Sequence, residues 1–169
     1  SKNKVNLNRK KKWITFVGKL NRSKGYDIFG SSVLKILKKY KDWQAIVIGD
    51  EQRDKITFNH DRLKNLGFLE HKKVINIFKK SSIAVACSRW NEPFGRTSLE
   101  GSASACAVII SNRGGLPETV TNAIILKKLN QKELTKKIEL LIKKPKLRLE
   151  YQKLAYKNFY LTHKNISKD

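Results

Sequence analysis

Residues 82–111 read SIAVACSRWNEPFGRTSLEGSASACAVIIS. The first seven form an apolar run rich in β-formers, residues 97–105 make a helix of small side chains, and AVIIS at 107–111 is a second apolar run. Neither run alternates with polar residues, so each is predicted to be a strand buried on both faces, as in a parallel sheet. Small residues let the intervening helix lie close to that sheet.

The pattern extends outward in both directions. WITFV at 13–17 is a strand closed by Gly18, and Val33, Ile36, Leu37 and Tyr40 fall at i, i+3, i+4 and i+7 of a helix from Tyr26 to Tyr40. WQAIVIGD at 43–50 is another buried strand. Residues 51–65 are polar and show no period; LGFLE at 66–70 suggests a short strand, and Val74, Ile77 and Phe78 mark a helix. AIIL at 123–126 is a last strand, Leu134, Ile138, Leu141 and Ile142 a helix ended by Pro145, and Leu147, Tyr151, Leu154 and Ala155 a terminal helix.

Strand and helix alternate throughout, which predicts an α/β fold: a doubly wound, Rossmann-like parallel sheet of right-handed βαβ units. We expect one domain over 13–145, led by a basic segment, 1–12, and completed by the helix and tail at 146–169. Ligands of such sheets bind at the carboxyl ends of the strands. Three loops of unusual composition leave such ends: Gly18 to Gly25, Ser88 to Gly95 and Ser111 to Pro117.

At 169 residues and 40% apolar the chain can bury a real core. No uncharged apolar run approaches the roughly 18 residues of a membrane span, and the polar, basic start is unlike a secretory leader, so a soluble cytoplasmic protein is expected. Cys87 and Cys106 lie in apolar or small-residue segments and read as reduced, buried thiols. The three histidines, His60, His71 and His163, have no zinc-type spacing, so no metal site is expected.

The formal charge of +23 would ordinarily raise nucleic acid or an anionic membrane as partner. Its distribution argues otherwise for nucleic acid. Within 81–126, Arg89, Arg96 and Arg113 balance Glu92, Glu100 and Glu118, with no lysine. The surplus follows helix-like segments without the interleaved aromatics that stack on bases. Most of it reads as solvated helix faces, with attraction to acidic lipid left open.

Several residues are suited to chemistry, each beside a plainer role. In GKLNRSKG, Lys19 and Lys24 flank a turn after Gly18 where two ammonium groups converge on one diphosphate, or they are two surface lysines among 29. In Pro93-Phe94-Gly95-Arg96-Thr97, the glycine and the N–H groups of a helix start favour an anion, or simply cap the helix. Glu92, in the preceding loop, suits sugar hydroxyls. A ribose diol would satisfy Glu100, and so would Arg96, four residues earlier.

Taken in order, these residues resemble the carboxyl-terminal domain of retaining glycosyltransferases of the family 4 type, one half of the two-domain GT-B fold. The resemblance spans about Trp13 to Ile142. It rests on the Gly-[Arg/Lys]-Leu loop with Lys-Gly five residues on, the strand closed by Ile-Gly, Gly-Phe-Leu, the stretch from Ser88 to Glu100, and Gly-Gly-Leu-Pro-Glu at 114–118.

It implies that Gly18, Lys19, Lys24, Arg96 and Thr97 hold the diphosphate of a UDP-, GDP- or ADP-linked sugar, with Glu92, Lys19 and Lys24 as the catalytic set. Glu92 with Phe94 and Gly95 would bind the sugar, Glu100 the ribose, and the main chain at Phe68 and Leu69 the base. It implies no cofactor or metal, and an acceptor-binding amino-terminal domain in cis that these residues do not contain; beside it stands the cytoplasmic expectation drawn above, with peripheral contact at the inner face of an anionic membrane left open. With that domain missing, Tyr151 to Tyr160 are expected to expose apolar surface.

The sequence also departs from the family. Lys19 stands for the commoner arginine, Gly101 for an alanine, Ala105 and Ala107 for glycine and proline, and the segment after Pro117-Glu118 is short. An epimerase or phosphorylase on the same architecture, and a basic nucleic-acid module, are the competing readings.

Overall fold

The computed structural model describes residues 5–53, 55–90, 96–112 and 122–167, with side chains through 157. A 3-10 turn at Leu7–Arg9 leads into β1, Lys11–Val17. The chain continues through α1 (Tyr26–Lys39), β2 (Gln44–Ile48), β3 (Leu63–Asn65), α2 (His71–Lys80), β4 (Ser81–Ala86), α3 (Arg96–Ala103) and β5 (Ala107–Ser111). It ends with β6 (Ile124–Leu126), α4 (Gln131–Lys143) and α5 (Pro145–Ser167). The strands form one parallel sheet in the order β3-β2-β1-β4-β5-β6.

The unbroken apolar runs are explained by burial on both faces. Ile14, Phe16, Ile83, Val85, Ala107 and Ile109 meet Phe29, Val33 and Leu37 of α1 and Leu134, Ile138 and Leu141 of α4. Their neighbours Ala84, Val108 and Ile110 turn the other way, onto Val74 and Phe78 of α2 and Leu99 of α3. The small residues of α3 bring it close: a Cβ at Gly101 would lie 3.1 Å from that of Ala84. The glycine that stands for the family's alanine therefore answers a tight contact.

One strand differs from expectation. The strand expected at 66–70 is Leu63–Asn65, just upstream. At Leu66 the backbone N–H still reaches the Val47 carbonyl, but Gly67, with φ +69°, turns the chain out of the sheet and leaves Phe68 82% exposed. The stretch before β3, which showed no period, carries no helix among its described residues, and its Phe58 packs edge-on against Tyr26 at 5.5 Å.

The basic lead differs as well. β1 begins two residues earlier than WITFV, and the preceding Lys10 is partly buried rather than fully solvated. Its ammonium donates to the Phe78 and Ser104 carbonyls at 3.0 and 2.5 Å, at the carboxyl ends of α2 and α3, where positive charge is favoured. Burial pushes its pKa down and that of the neighbouring Cys106 thiol up.

Helix α5 closes the end of the sheet opposite the strand carboxyl termini. Arg148 stacks on Trp43, just before β2, at 5.0 Å, and Gln152 donates to the Ser82 carbonyl at the start of β4. Ala155 is buried, Tyr151 and Leu154 are partly buried, and Leu149 is exposed. Among the described residues no helix is long and apolar enough to cross a membrane.

Candidate functional site

The strand order reverses direction between β1 and β4. From β1 the chain passes to α1 on one face of the sheet, and after β4 the next helix, α3, lies on the other face. Such a divergence opens a crevice at the strand carboxyl ends, where ligands of doubly wound sheets bind. Here Gly18, Lys24, Ser88 and Thr97 line a hollow of about 60 Å³, floored by Phe16, Val17, Ala86 and Cys87. Thr97, in the first turn of α3, and Lys24 border this one hollow, and the free N–H groups of a helix start favour an anion.

The two loops at the mouth are fastened together. Arg89 N–H and Ser88 Oγ both donate to the Ser23 carbonyl, at 2.9 and 3.1 Å, and Cys87 Sγ donates to the Gly25 carbonyl at 3.3 Å. The Lys24 N–H is held by Asn21 Oδ1 at 3.0 Å, which sets the turn that presents its side chain. Burial raises the Cys87 thiol to about 12, so it remains a neutral structural group.

The Arg89 guanidinium grips Asp27, in the first turn of α1, with two contacts of 2.7 and 2.8 Å. That bidentate pair holds the Asp27 carboxyl below its ordinary value. A depressed carboxyl stabilises the fold above its unfolded pKa, and the contribution is lost as pH falls through the folded value. Asp27→Asn is therefore expected to cost about 1 kcal/mol at pH 7. Urea titrations at stepped pH should show that gap closing as pH falls below the ordinary aspartate value of about 3.9.

Lys19 faces a neighbouring open cleft of about 880 Å³ together with Asn21, Arg22, Ser23, Asp50, Glu51, Gln52, Arg53 and Ile56. Lys24 and Lys19 thus line two different concavities, the first bordered also by Gly18, rather than one shared hollow. Glu51, in the stretch without a period, is fixed by the Arg53 N–H at 3.0 Å and Asn21 Nδ2 at 2.8 Å, which together lower its pKa. A loop without period or motif gave no sign that it walls a cleft.

Glu100 lies one turn into α3 and is 18% exposed. One oxygen, Oε1, stands 3.3 Å from Arg96 Nε and 3.5 Å from Nδ1 of His71, the first residue of α2. Arg96 is thus the partner expected from its spacing, whereas His71, 29 positions away, is one that no local pattern announced. Phe68 and Leu69 lie just before α2, Leu69 packed against the sheet and Phe68 toward solvent. Glu92, Phe94, Gly95 and the Gly-Gly-Leu-Pro-Glu turn lie outside the described residues.

Residues 1–158 match the family described as Glycosyl transferases group 1. The chain belongs to that family. A curated relative, the lipopolysaccharide core biosynthesis mannosyltransferase LpsB of Rhizobium meliloti, is 29% identical over 133 residues, 72% of this chain and 37% of that protein. The chain spans about a third of the length of the curated relatives it matches.

Among solved structures, the C-terminal domain of a group 1 family glycosyl transferase, LpcC, from Francisella tularensis has a TM-score of 0.73 at 24% identity, covering 90% of this chain and 86% of that one. Anabaena Alr3699/HepE, in complex with UDP and glucose, has the same score at 18% identity, covering 88% of this chain and 43% of that one. The fold of this group 1 chain is therefore the Rossmann-like sheet of GT-B carboxyl-terminal domains.

Proposed function

We propose that this chain is the donor-binding half of a retaining glycosyltransferase of the family 4 type, transferring a sugar from a nucleoside diphosphate to a cell-envelope glycan or lipid. The observation that carries this reading is the crevice at the β1–β4 divergence, where Lys24, Thr97 and Gly18 meet beside the start of α3. The UDP and glucose bound by Alr3699/HepE, a protein of the same fold, support a nucleotide-linked donor. The lipopolysaccharide assignment of LpsB supports an envelope acceptor.

In this reading Lys24, Lys19 and the backbone of Arg96 and Thr97 hold the diphosphate. Glu92, with the Phe94 and Gly95 amides, takes the donor sugar; Glu100 takes the ribose, and the main chain at Phe68 and Leu69 the base. Transfer passes through an oxocarbenium-like state while negative charge grows on the leaving phosphate. Ammonium and amide hydrogens aimed at that phosphate lower the barrier more than they tighten the ground state. The leaving phosphate takes the acceptor's proton, and no metal takes part. The acceptor binds an amino-terminal domain in cis, at the cytoplasmic face of an anionic membrane.

Titration calorimetry with UDP, GDP, ADP and their sugars tests the reading. One nucleotide series is expected to bind, Glu100→Ala to weaken the free nucleotide, and Glu92→Ala to weaken mainly the sugar's increment. No binding by any of the three series would overturn it.

A further inference from the structure

His71 has a task that neither its own helix nor the core explains. It opens α2, directly after the Gly67 turn and Phe68, and its ring is 57% exposed, yet Nδ1 is turned back to within 3.5 Å of Glu100 Oε1. Glu100 thus answers to two cations or donors from different elements, and the two are not equivalent. Arg96 is on Glu100's own helix, 80% exposed at the end of a long side chain, so releasing it costs little beyond a solvated contact. His71 comes from a separate helix packed beside α3, with only two rotatable bonds between ring and backbone.

We infer that His71 is the positioning residue of the nucleoside subsite: it holds the Glu100 carboxylate in the orientation that meets both ribose hydroxyls, while Arg96 leaves Glu100 when the diphosphate arrives. This inference rests on the assignment of Glu100 to the ribose. The 3.5 Å approach is a contact rather than a formed hydrogen bond; an imidazole that closes it and donates Nδ1–H to Oε1 when the ribose binds pins one edge of the carboxylate, leaving Oε2 and the second lone pair of Oε1 to accept from a vicinal diol. An unheld carboxylate beside Arg96 would instead follow the guanidinium as it moves to the phosphates. The diol is the part of the ligand that reads the carboxylate's orientation, since one hydroxyl can follow a rotating carboxylate and two cannot.

The test measures affinities of the 169-residue chain for UDP, GDP and ADP and for their 2′-deoxy counterparts. For whichever base binds, the ribose form is expected to be preferred by about 30-fold, as a site built to pair a hydroxyl rejects the analogue that lacks it. Glu100→Ala should abolish that preference. His71→Ala should cut it to about threefold, with deoxynucleotide affinity nearly unchanged, and His71→Gln, whose amide also donates to Glu100, should restore most of it.

Equal losses of both nucleotide forms in His71→Ala would show a merely structural histidine and overturn the inference. So would an unchanged ribose preference. If the wild-type chain bound none of the six nucleotides, the donor-binding reading itself would fall, and the inference with it.

Discussion

Alanine in place of Lys24 is expected to weaken binding of the preferred nucleoside diphosphate by about 30- to 100-fold. An ammonium group on phosphate oxygens makes charge-assisted hydrogen bonds worth about 1.5–3 kcal/mol, and each 1.4 kcal/mol is about tenfold in affinity. Lys24 is placed for that contact by its own turn: its N–H is tied to Asn21, the helix behind it starts at Gly25, and its side chain borders the hollow shared with Gly18 and Thr97. Lys19, which lines the open cleft, should lose only about fivefold as alanine, because an exposed contact is screened by solvent. Calorimetry on the two variants gives the ranking. A Lys24→Ala chain that binds within twofold of wild type would remove the crevice from the donor site.

Valine at Gly25 is expected to abolish folding, or to cost more than about 4 kcal/mol if the chain folds at all. Gly25 caps α1 with φ +75°, and a Cβ built there would lie 2.0 Å from the Cys87 carbonyl oxygen, a backbone atom that cannot swing away. The contact joins the β1–α1 turn to the end of β4, so any shift to relieve it would pull apart the bonds from Ser88 and Arg89 to Ser23. Gly67→Ala is the control. It has a similar φ of +69° but nothing within 4 Å of the added carbon, so it should cost only the left-handed backbone penalty, about 1 kcal/mol. Urea unfolding followed by circular dichroism separates the two; equal, small losses would mean that the β1–β4 mouth is looser than its geometry implies.

The legibility of this fold follows the strength of its periodicity. β2, β4 and β5 are unbroken apolar runs between punctuating residues, and α1 and α4 carry full i, i+4, i+7 faces, so each could be read directly. β3 has three residues, one of them buried, and its neighbour Leu66-Gly67-Phe68-Leu69 is more apolar. Hydrophobicity therefore pointed one step too far along the chain, whereas pairing with Ala45, Ile46 and Val47 fixed the strand at 63–65. Lys10 was illegible for the opposite reason. A lysine in a run of lysines reads as solvated, and only the carbonyls of Phe78 and Ser104, 68 and 94 residues away, make its partial burial tenable.

The site divides in the same way. Gly18, Lys24, Thr97 and Glu100 stood out because a glycine, a cation, a hydroxyl or a carboxylate sat at or within about a turn of a strand-to-helix junction, a position with chemical meaning in a parallel sheet. His71 did not, because its significance lies wholly in the packing of α2 beside α3. Glu51 and Arg53 were hidden in a stretch whose polarity is indistinguishable from that of an ordinary loop.

Amide chemical-shift mapping of the isotopically labelled chain during titration with UDP, GDP and ADP tests the central assignment most directly. If the β1–β4 crevice holds the diphosphate, the binding nucleotide will move the amides of Gly18, Lys24, Ser88 and Thr97 first and most, with those of His71 and Glu100 following. Shifts gathered instead on α5 or the lysine-rich faces of α1 and α4, with those six amides still, would contradict it.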